Sequence, residues 1–129
     1  MERNGFTLIE LMAVITILVI LSLIIVPIVD KNVKRSKEEM YSIQIENIRM
    51  SGMGYFSDNI GKRPRDNMYC SIPVSLLVSE GYMSGDVVNP KNGQDLSDLF
   101  IQIFNKDGRY SYLVCPVDSD CQDTSTICS

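Results

Sequence analysis

The stretch GFTLIELMAVITILVILSLIIVPIVD (residues 5–30) decides how the rest of the chain is interpreted. From Phe6 to Val29 it contains 24 residues, and Glu10 carries the only ionisable side chain among them. A run of this length predicts a helix that can cross the hydrocarbon core of a membrane. A carboxylate at membrane depth costs about 2.5–3.5 kcal/mol on insertion scales. Glu10 therefore requires a partner or a function.

An ordinary secretory signal does not fit this segment. Such signals have an apolar core of roughly 7–15 residues, followed by a small-x-small cleavage site. Here the apolar run is longer, and the sequence IVPIVDKNVK (25–34) offers no such site. We therefore expect no cleavage behind the apolar run.

A short polar leader ends in Gly5, and FTLIEL and a long apolar run containing Pro27 follow it. This arrangement resembles the N-terminus of type IV prepilins and pseudopilins. In that family an aspartic peptidase cuts before the apolar run. The resemblance implies that Gly5 precedes the cut and that Phe6 becomes the N-methylated first residue. It also implies that Glu10 is the assembly glutamate and that Pro27 is the helix-kinking proline.

Charge pairing gives this resemblance a physical basis. Cleavage after Gly5 would create a positive amine at Phe6, one helical turn from Glu10. That amine, or the amine of a neighbouring subunit, would offset the cost of the carboxylate in lipid. The alternative is a plain signal anchor, which leaves Glu10 unpaired and gives Gly5 no role. Pro27 removes a backbone hydrogen bond and predicts a kink or local unwinding, or else marks the edge of the apolar span.

The helix is predicted to continue to about Phe56, because no proline occurs from Val33 to Phe56 and apolar residues recur at helical spacing. The stripe expected to pack on a small domain comprises Tyr41, Ile45, Ile48, Gly52 and Phe56, widened by Met40, Ile43, Met50 and Met53. A methionine-rich peptide-binding surface is the alternative. So long a helix on 129 residues has little of its own protein to contact, which favours self-assembly.

The expected fold class is α+β and pilin-like. A long N-terminal helix with a membrane-spanning first half would pack on a small, disulfide-stabilised antiparallel sheet. The expected organisation is a leader peptide (1–5), a transmembrane or filament-core helix (6–29), an exposed half of the helix (30–56) and a small globular pilin head (57–129).

Within the head, the composition predicts three elements. Residues 57–70 are expected to form a loop, since they are rich in Gly, Pro, Asn and Asp. Residues 71–83 predict a short amphipathic helix that ends near Gly81. Residues 100–114 predict a β-hairpin, because two β-prone runs flank a turn that contains Asp107-Gly108.

Four cysteines lie outside the apolar run: Cys70, Cys115, Cys121 and Cys128. An even number outside a membrane segment predicts disulfides in an oxidising compartment. A zinc site is the alternative, but the sequence contains no C-x-x-C pair. Of three connectivities we expect Cys70–Cys115 with Cys121–Cys128, which would join the loop to the last strand and close the tail. Reduction should then loosen the C-terminal region first.

Two charged clusters invite ligand hypotheses. The first cluster is basic and comprises Lys62, Arg63 and Arg65. We expect it to lie on a solvated loop. Contact with DNA is the more specific alternative, although the sequence shows no clear aromatic platform beside these cations. The acidic residues of the tail suggest calcium, but the glycine and closing glutamate of an EF-hand are absent, so a solvated loop is favoured. The turn at Asn89-Pro90 resembles the D-P-x-x-G turn of pseudopilins, with Asn in place of the aspartate, which puts the calcium site of some relatives in doubt.

No catalytic constellation is expected. The chain has no histidine, which removes the commonest general base and metal ligand, and no Walker motif or dinucleotide fingerprint occurs. A net charge of −4 gives the whole chain no nucleic-acid footprint. We therefore expect no enzyme, no cofactor and no metal, and regard the chain as a substrate of the prepilin peptidase.

The basic residues after the apolar run and the cysteines of the C-terminal region favour opposite membrane topologies. Lys31, Lys34, Arg35 and Lys37 favour a cytoplasmic C-terminus by the positive-inside rule. The cysteines and the resemblance favour an extracytoplasmic C-terminus, which we expect, on a single-pass inner-membrane protein that later enters a surface filament.

The resemblance implies a structural subunit of a type IV pilus-like filament. Its partners would be other copies in a helical homo- or hetero-polymer, the prepilin peptidase, an assembly platform protein, a cytoplasmic ATPase and the membrane. A pseudopilin of a type II secretion or competence system is the alternative within the family. A monomeric membrane-anchored binding module is the alternative of another class, and it would need neither Gly5 nor Glu10.

Overall fold

A computed structural model describes residues 5–129; residues 1–4 of the predicted leader lie outside the described residues. The elements in chain order are α1 (Leu8–Asp58), a 3-10 helix (Ile60–Lys62), β1 (Tyr69–Pro73), α2 (Val74–Ser79), β2 (Phe100–Lys106) and β3 (Arg109–Cys115). The chain forms two compact units, residues 1–37 and residues 38–129, and α1 begins in the first and ends in the second. The α+β prediction is confirmed.

The described part of the first unit is helical from Leu8 onward. Its large apolar side chains are all exposed, so the unit has no core of its own. The apolar run has three hydroxyl groups, and each has a partner within the run. Thr16 Oγ1 donates to the Met12 carbonyl and Ser22 Oγ to the Leu18 carbonyl, each at 2.7 Å, and Thr7 Oγ1 accepts the Glu10 N–H. Apart from Glu10, no side chain of this run thus requires a polar partner from outside the helix.

The sheet of the second unit is antiparallel, in the order β1-β2-β3. The predicted hairpin is confirmed: β2 and β3 pair from Phe100–Cys115 to Lys106–Arg109 around a two-residue turn. Asp107 and Gly108 both have positive φ, at 53° and 79°, which is the conformation that a tight hairpin turn requires and that Asp-Gly tolerates.

The core lies between one face of α1 and the inner face of this sheet. Helix residues Ile45, Ile48 and Phe56 are almost fully buried, together with Ile101 and Ile103 of β2. Alternation along the strands places the isoleucines on the same face and sends the intervening residues to the other. The predicted stripe is therefore confirmed.

The predicted widening of that stripe is wrong. Met40, Ile43, Met50 and Met53 are 45–60% exposed. The reason is geometric: a three-stranded sheet contacts a single face of a helix, and these four residues lie outside that face. Within residues 38–58 the helix thus has a second apolar face without contact to the core.

The helix predicted over residues 71–83 is largely wrong. Ser71–Pro73 belong to β1, and only Val74–Ser79 form a helix. Strand pairing prevails because Ile72 lies opposite Ile101 and both are buried. The end near Gly81 is confirmed, since Gly81 has a φ of 82° and its N–H donates to the Val78 carbonyl. The 57–70 loop is shorter than predicted, because α1, a 3-10 turn and β1 extend into it.

All four cysteines form disulfides, but the predicted pairing is wrong. The bonds join Cys70 to Cys128 and Cys115 to Cys121, with Cα–Cα distances of 4.9 and 5.8 Å. The tail returns along β1, where the Cys128 N–H donates to the Ser71 carbonyl at 3.0 Å, and this places Cys128 beside Cys70. Cys115 lies two strands away from Cys70, so it pairs across a short loop instead.

Candidate assembly site at the start of the helix

The residues singled out at the N-terminus lie at the first turn of α1. Gly5 and Phe6 precede the helix, and Glu10 lies within its first turn. Phe6 is 84% exposed, and nothing lies within 4 Å of the position that a Cβ on Gly5 would take. The peptide bond between Gly5 and Phe6 is thus flanked by an open glycine and an exposed side chain.

Thr7 begins the helix, and the sequence interpretation missed it. Its Oγ1 accepts the N–H of Glu10 at 3.2 Å, and its carbonyl accepts the N–H of Leu11 at 3.1 Å. Thr7 is therefore the N-cap, and Glu10 is the third helical residue. Thr-x-x-Glu before an apolar run is the capping-box pattern, which was a readable signal. Glu10 also lies where a negative charge favours the helix dipole.

The apolar surface that follows is continuous. Among residues 5–129, α1 is the one helix that is long and apolar enough to cross a membrane, and none of its most apolar window is buried. At about 25 cal/mol per Å² of apolar surface removed from water, a segment of this kind is strongly driven towards lipid or other apolar helices.

Pro27 lies inside α1, and the helix is uninterrupted there. Local unwinding is therefore wrong as a prediction. A bend at this residue stays a prediction, because the proline ring still lacks an N–H and crowds the carbonyl four residues earlier.

In the second compact unit (residues 38–129), called the head from here on, a charged network fixes the helix to the sheet. The Arg49 guanidinium donates to Asp118 Oδ2 at 2.8 Å, contacts the Glu46 carboxylate, and reaches the Tyr112 carbonyl at 3.2 Å. The hydrogen bond that Arg49 donates to Asp118 is the main cause that raises the pKa of Arg49. Asp118 Oδ2 also accepts the Val114 N–H at 2.7 Å. This carboxylate therefore has a structural role.

The acidic tail gives no support to the calcium hypothesis. Asp118 contacts Arg49, and Asp123 accepts the N–H and the hydroxyl of Ser125 at 3.0 and 2.8 Å. No group of three or more His, Cys, Asp or Glu side chains with metal-site geometry occurs in residues 5–129.

The basic cluster has aromatic neighbours that the sequence alone did not indicate. Lys62 Nζ donates to the Tyr55 hydroxyl at 2.9 Å. The Arg63 guanidinium lies 5.0 Å from the ring centre of Tyr110 on β3. Arg65 is exposed. The tertiary fold supplies the Tyr110 contact, since β3 is more than forty residues distant from Arg63 in sequence, whereas Tyr55 lies seven residues before Lys62.

Comparison with known protein families identifies one match, at the N-terminus. Residues 1–26 match the family described as the prokaryotic N-terminal methylation motif. The matched range includes Gly5, Phe6 and Glu10. Comparison with curated proteins and with solved structures gave no match. The chain therefore combines a prepilin-type N-terminal methylation motif with a pilin-like α+β fold.

Proposed function

We propose that the chain is a structural subunit of a type IV pilus-like filament. Prepilin peptidase cuts it after Gly5 and methylates the new amine of Phe6, and the mature chain then polymerises through its N-terminal helix. The observation that carries the proposal is the methylation motif over residues 1–26, in register with Gly5 and Glu10. The exposed apolar surface of the first unit supports it, since this surface requires lipid before assembly and other helices afterwards.

Glu10 acts as the assembly contact in this proposal. It is the only ionisable side chain between Phe6 and Val29, and the first turn of α1 keeps it close to the end that becomes a charged amine. Its pairing with the amine of a neighbouring subunit offsets two charges that lipid disfavours. Cleavage is then required before assembly, because the uncut chain has no amine at Phe6.

The partners and location follow from the same proposal. The precursor is a single-pass inner-membrane protein with an extracytoplasmic C-terminus, and the two disulfides of the head are consistent with that compartment. A platform protein and a cytoplasmic ATPase drive extraction into the filament.

N-terminal mass spectrometry of the native protein tests the proposal. We expect a mature chain that begins at N-methylated Phe6, and an intact leader beginning at Met1 would overturn it. A catalytically inactive peptidase is the control, since it should leave the leader in place.

A pseudopilin of a type II secretion or competence system is the second candidate, because the same motif serves those systems. Deletion of the gene for this chain distinguishes a pilus subunit from a pseudopilin. A pilus subunit should leave the sheared cell-surface fraction empty of filaments, whereas a pseudopilin should stop export or DNA uptake without loss of a long surface filament. A monomeric binding module should tolerate Glu10→Ala in every one of these assays.

A further inference from the structure

Charge in the head is unevenly distributed. Residues 38–129 contain seven Lys or Arg and thirteen Asp or Glu. Five of the seven cations occur within residues 62–65 and 106–109. The fold brings these two segments together: Asn105 Nδ2 donates to the Pro64 carbonyl at 3.0 Å, and the Asp107 N–H donates to Asp66 Oδ1 at 2.7 Å. An acidic head thus has one cationic corner.

The sheet face turned away from α1, here called the outer sheet face, carries two aromatic rings at this corner. Tyr69 lies opposite Phe104, and Lys106 lies opposite Arg109. Alternation along the strands places all four on the face opposite the buried Ile103. The two rings are nearly parallel, with an interplanar angle of 10° and centroids 6.3 Å apart.

The cations beside these rings are available for a ligand. Arg65, Lys106 and Arg109 are exposed, and none forms an ion pair with a carboxylate of the described residues 5–129. Phe104, Lys106 and Arg109 line an open hollow of about 680 Å³ together with Asp107, Tyr110 and Ser111, so one carboxylate lies among the cations. Arg65 and Tyr69 line a second open hollow. A surface that combines apolar rings with unpaired cations fits a ligand that has both flat apolar faces and regularly spaced negative charge.

We infer that the outer sheet face binds single-stranded nucleic acid without sequence selectivity. Bases stack on Tyr69 and Phe104, and phosphates lie near Arg65, Lys106 and Arg109. A single strand fits better than a duplex, because stacking on side chains requires base faces that a duplex encloses. The acidic remainder of the head confines the contact to this corner, since repulsion acts over a Debye length of about 10 Å at 0.1 M salt. The site belongs to the head and does not depend on the proposed filament.

Binding of fluorescein-labelled oligo(dT) of about 20 nucleotides to the full chain in non-ionic detergent provides the test. Fluorescence anisotropy should show saturable binding that weakens with salt. For three phosphate contacts, the plot of log affinity against log salt should have a slope near −2. Absence of binding at about 50 mM salt would overturn the inference.

Charge-matched variants locate the site. Lys106→Gln/Arg109→Gln should weaken binding about tenfold and reduce the salt slope by about 1.4. Lys31→Gln/Lys34→Gln removes the same charge from the other compact unit and should change the affinity less than twofold. An equal loss of affinity in both variants would show a general effect of charge and would contradict the location of the site on the outer sheet face.

Two further comparisons test base stacking. Phe104→Leu should weaken binding at least about fivefold, whereas Phe100→Leu, at the other end of the same strand, should not. Near-UV circular dichroism checks that both variants keep the folded head. An abasic oligomer of equal length has the same phosphates and should bind at least about fivefold more weakly. Equal affinity for the two oligomers would identify a surface for acidic polymers in general and would overturn the inference.

Discussion

The two compact units differ in whether they bury their apolar side chains. Within residues 38–129 a sheet and a helix face enclose Phe56, Ile101 and Ile103, and two disulfides close the chain around them. Within the described residues 5–37 the apolar side chains are exposed without exception. The head is thus stabilised by contacts inside its own chain, while the first unit depends on its surroundings.

This difference shows which interactions selection can act on in each unit. In the head, stability depends on packing between specific pairs of residues, so a single added methyl group has a measurable effect. In the apolar run of the first unit (residues 6–29), dispersion contacts with lipid or helices tolerate exchange among apolar residues, and our proposal assigns the specificity to Glu10, the one charged side chain of that run. The predictions below test each half of this comparison, beginning with the largest expected effect.

The largest effect is expected from Glu10→Ala. Cleavage and membrane insertion should persist, but filaments should be absent, because the neighbouring amine loses its counter-charge. Immunoblotting of membrane and sheared surface fractions measures both outcomes. Ser22→Ala is the matched control, since the Ser22 hydroxyl donates to its own helix at 2.7 Å and its loss should leave filaments unchanged. Normal filament yield from Glu10→Ala would contradict the assembly role.

The disulfides should differ in their contribution to the head. Cys70–Cys128 spans 58 residues and Cys115–Cys121 spans 6, so loop entropy assigns them about 4 and about 2 kcal/mol, respectively. Urea unfolding of the paired Cys→Ala variants, followed by near-UV circular dichroism, checks the order. A larger loss from the short loop would show that native contacts, and not chain entropy, dominate.

Gly52→Ala should destabilise the head by about 1–2 kcal/mol despite the better helix propensity of alanine. An added Cβ would lie 2.8 Å from Cγ2 of the fully buried Ile101. Gly54→Ala is the matched control, because its Cβ would meet only Tyr82 Cδ1, at 3.7 Å, and it should stabilise by up to about 1 kcal/mol. The same urea titration measures both. Stabilisation by both variants would contradict the close helix–sheet contact.

The smallest effect concerns acid. Hydrogen bonds from Ser125 lower the pKa of Asp123, and those from Ser97 lower the pKa of Asp95, from an ordinary value of 3.8. A lowered pKa in the folded state contributes stability that is present above the ordinary value and is lost as the pH falls below it. The head should therefore lose stability below about pH 4, and Asp95→Asn/Asp123→Asn should flatten that slope. An unchanged slope in thermal unfolding would contradict this.

Several features could be predicted from the sequence because each depends on local pattern. Composition identifies the apolar helix, Asp107-Gly108 between two β-prone runs identifies the hairpin, and helical spacing identifies Ile45 and Ile48 as core residues. In each case the relevant interactions join residues that lie close together in the chain.

Other features depend on contacts between distant segments. β1 forms because Ile72 meets Ile101 across the sheet, and a local helix signal could not show this. The disulfide pairing follows from the return of the tail along β1, where Ser71 accepts the Cys128 N–H. The exposure of the helix methionines depends on the width of the sheet. Thr7 is different, since its capping pattern was local and was simply overlooked.

The hydroxyl groups of Thr16 and Ser22 are each bonded back to their own helix, and this has a mechanical consequence. In an assembled filament, the neighbours of this segment beyond Glu10 would meet mainly apolar groups, whose dispersion attraction has no preferred direction. One helix could then shift along another without breaking a hydrogen bond. Lateral packing between helices would depend on shape complementarity. The axial register between subunits would depend on a single carboxylate per subunit. Such a filament would therefore be extensible under load.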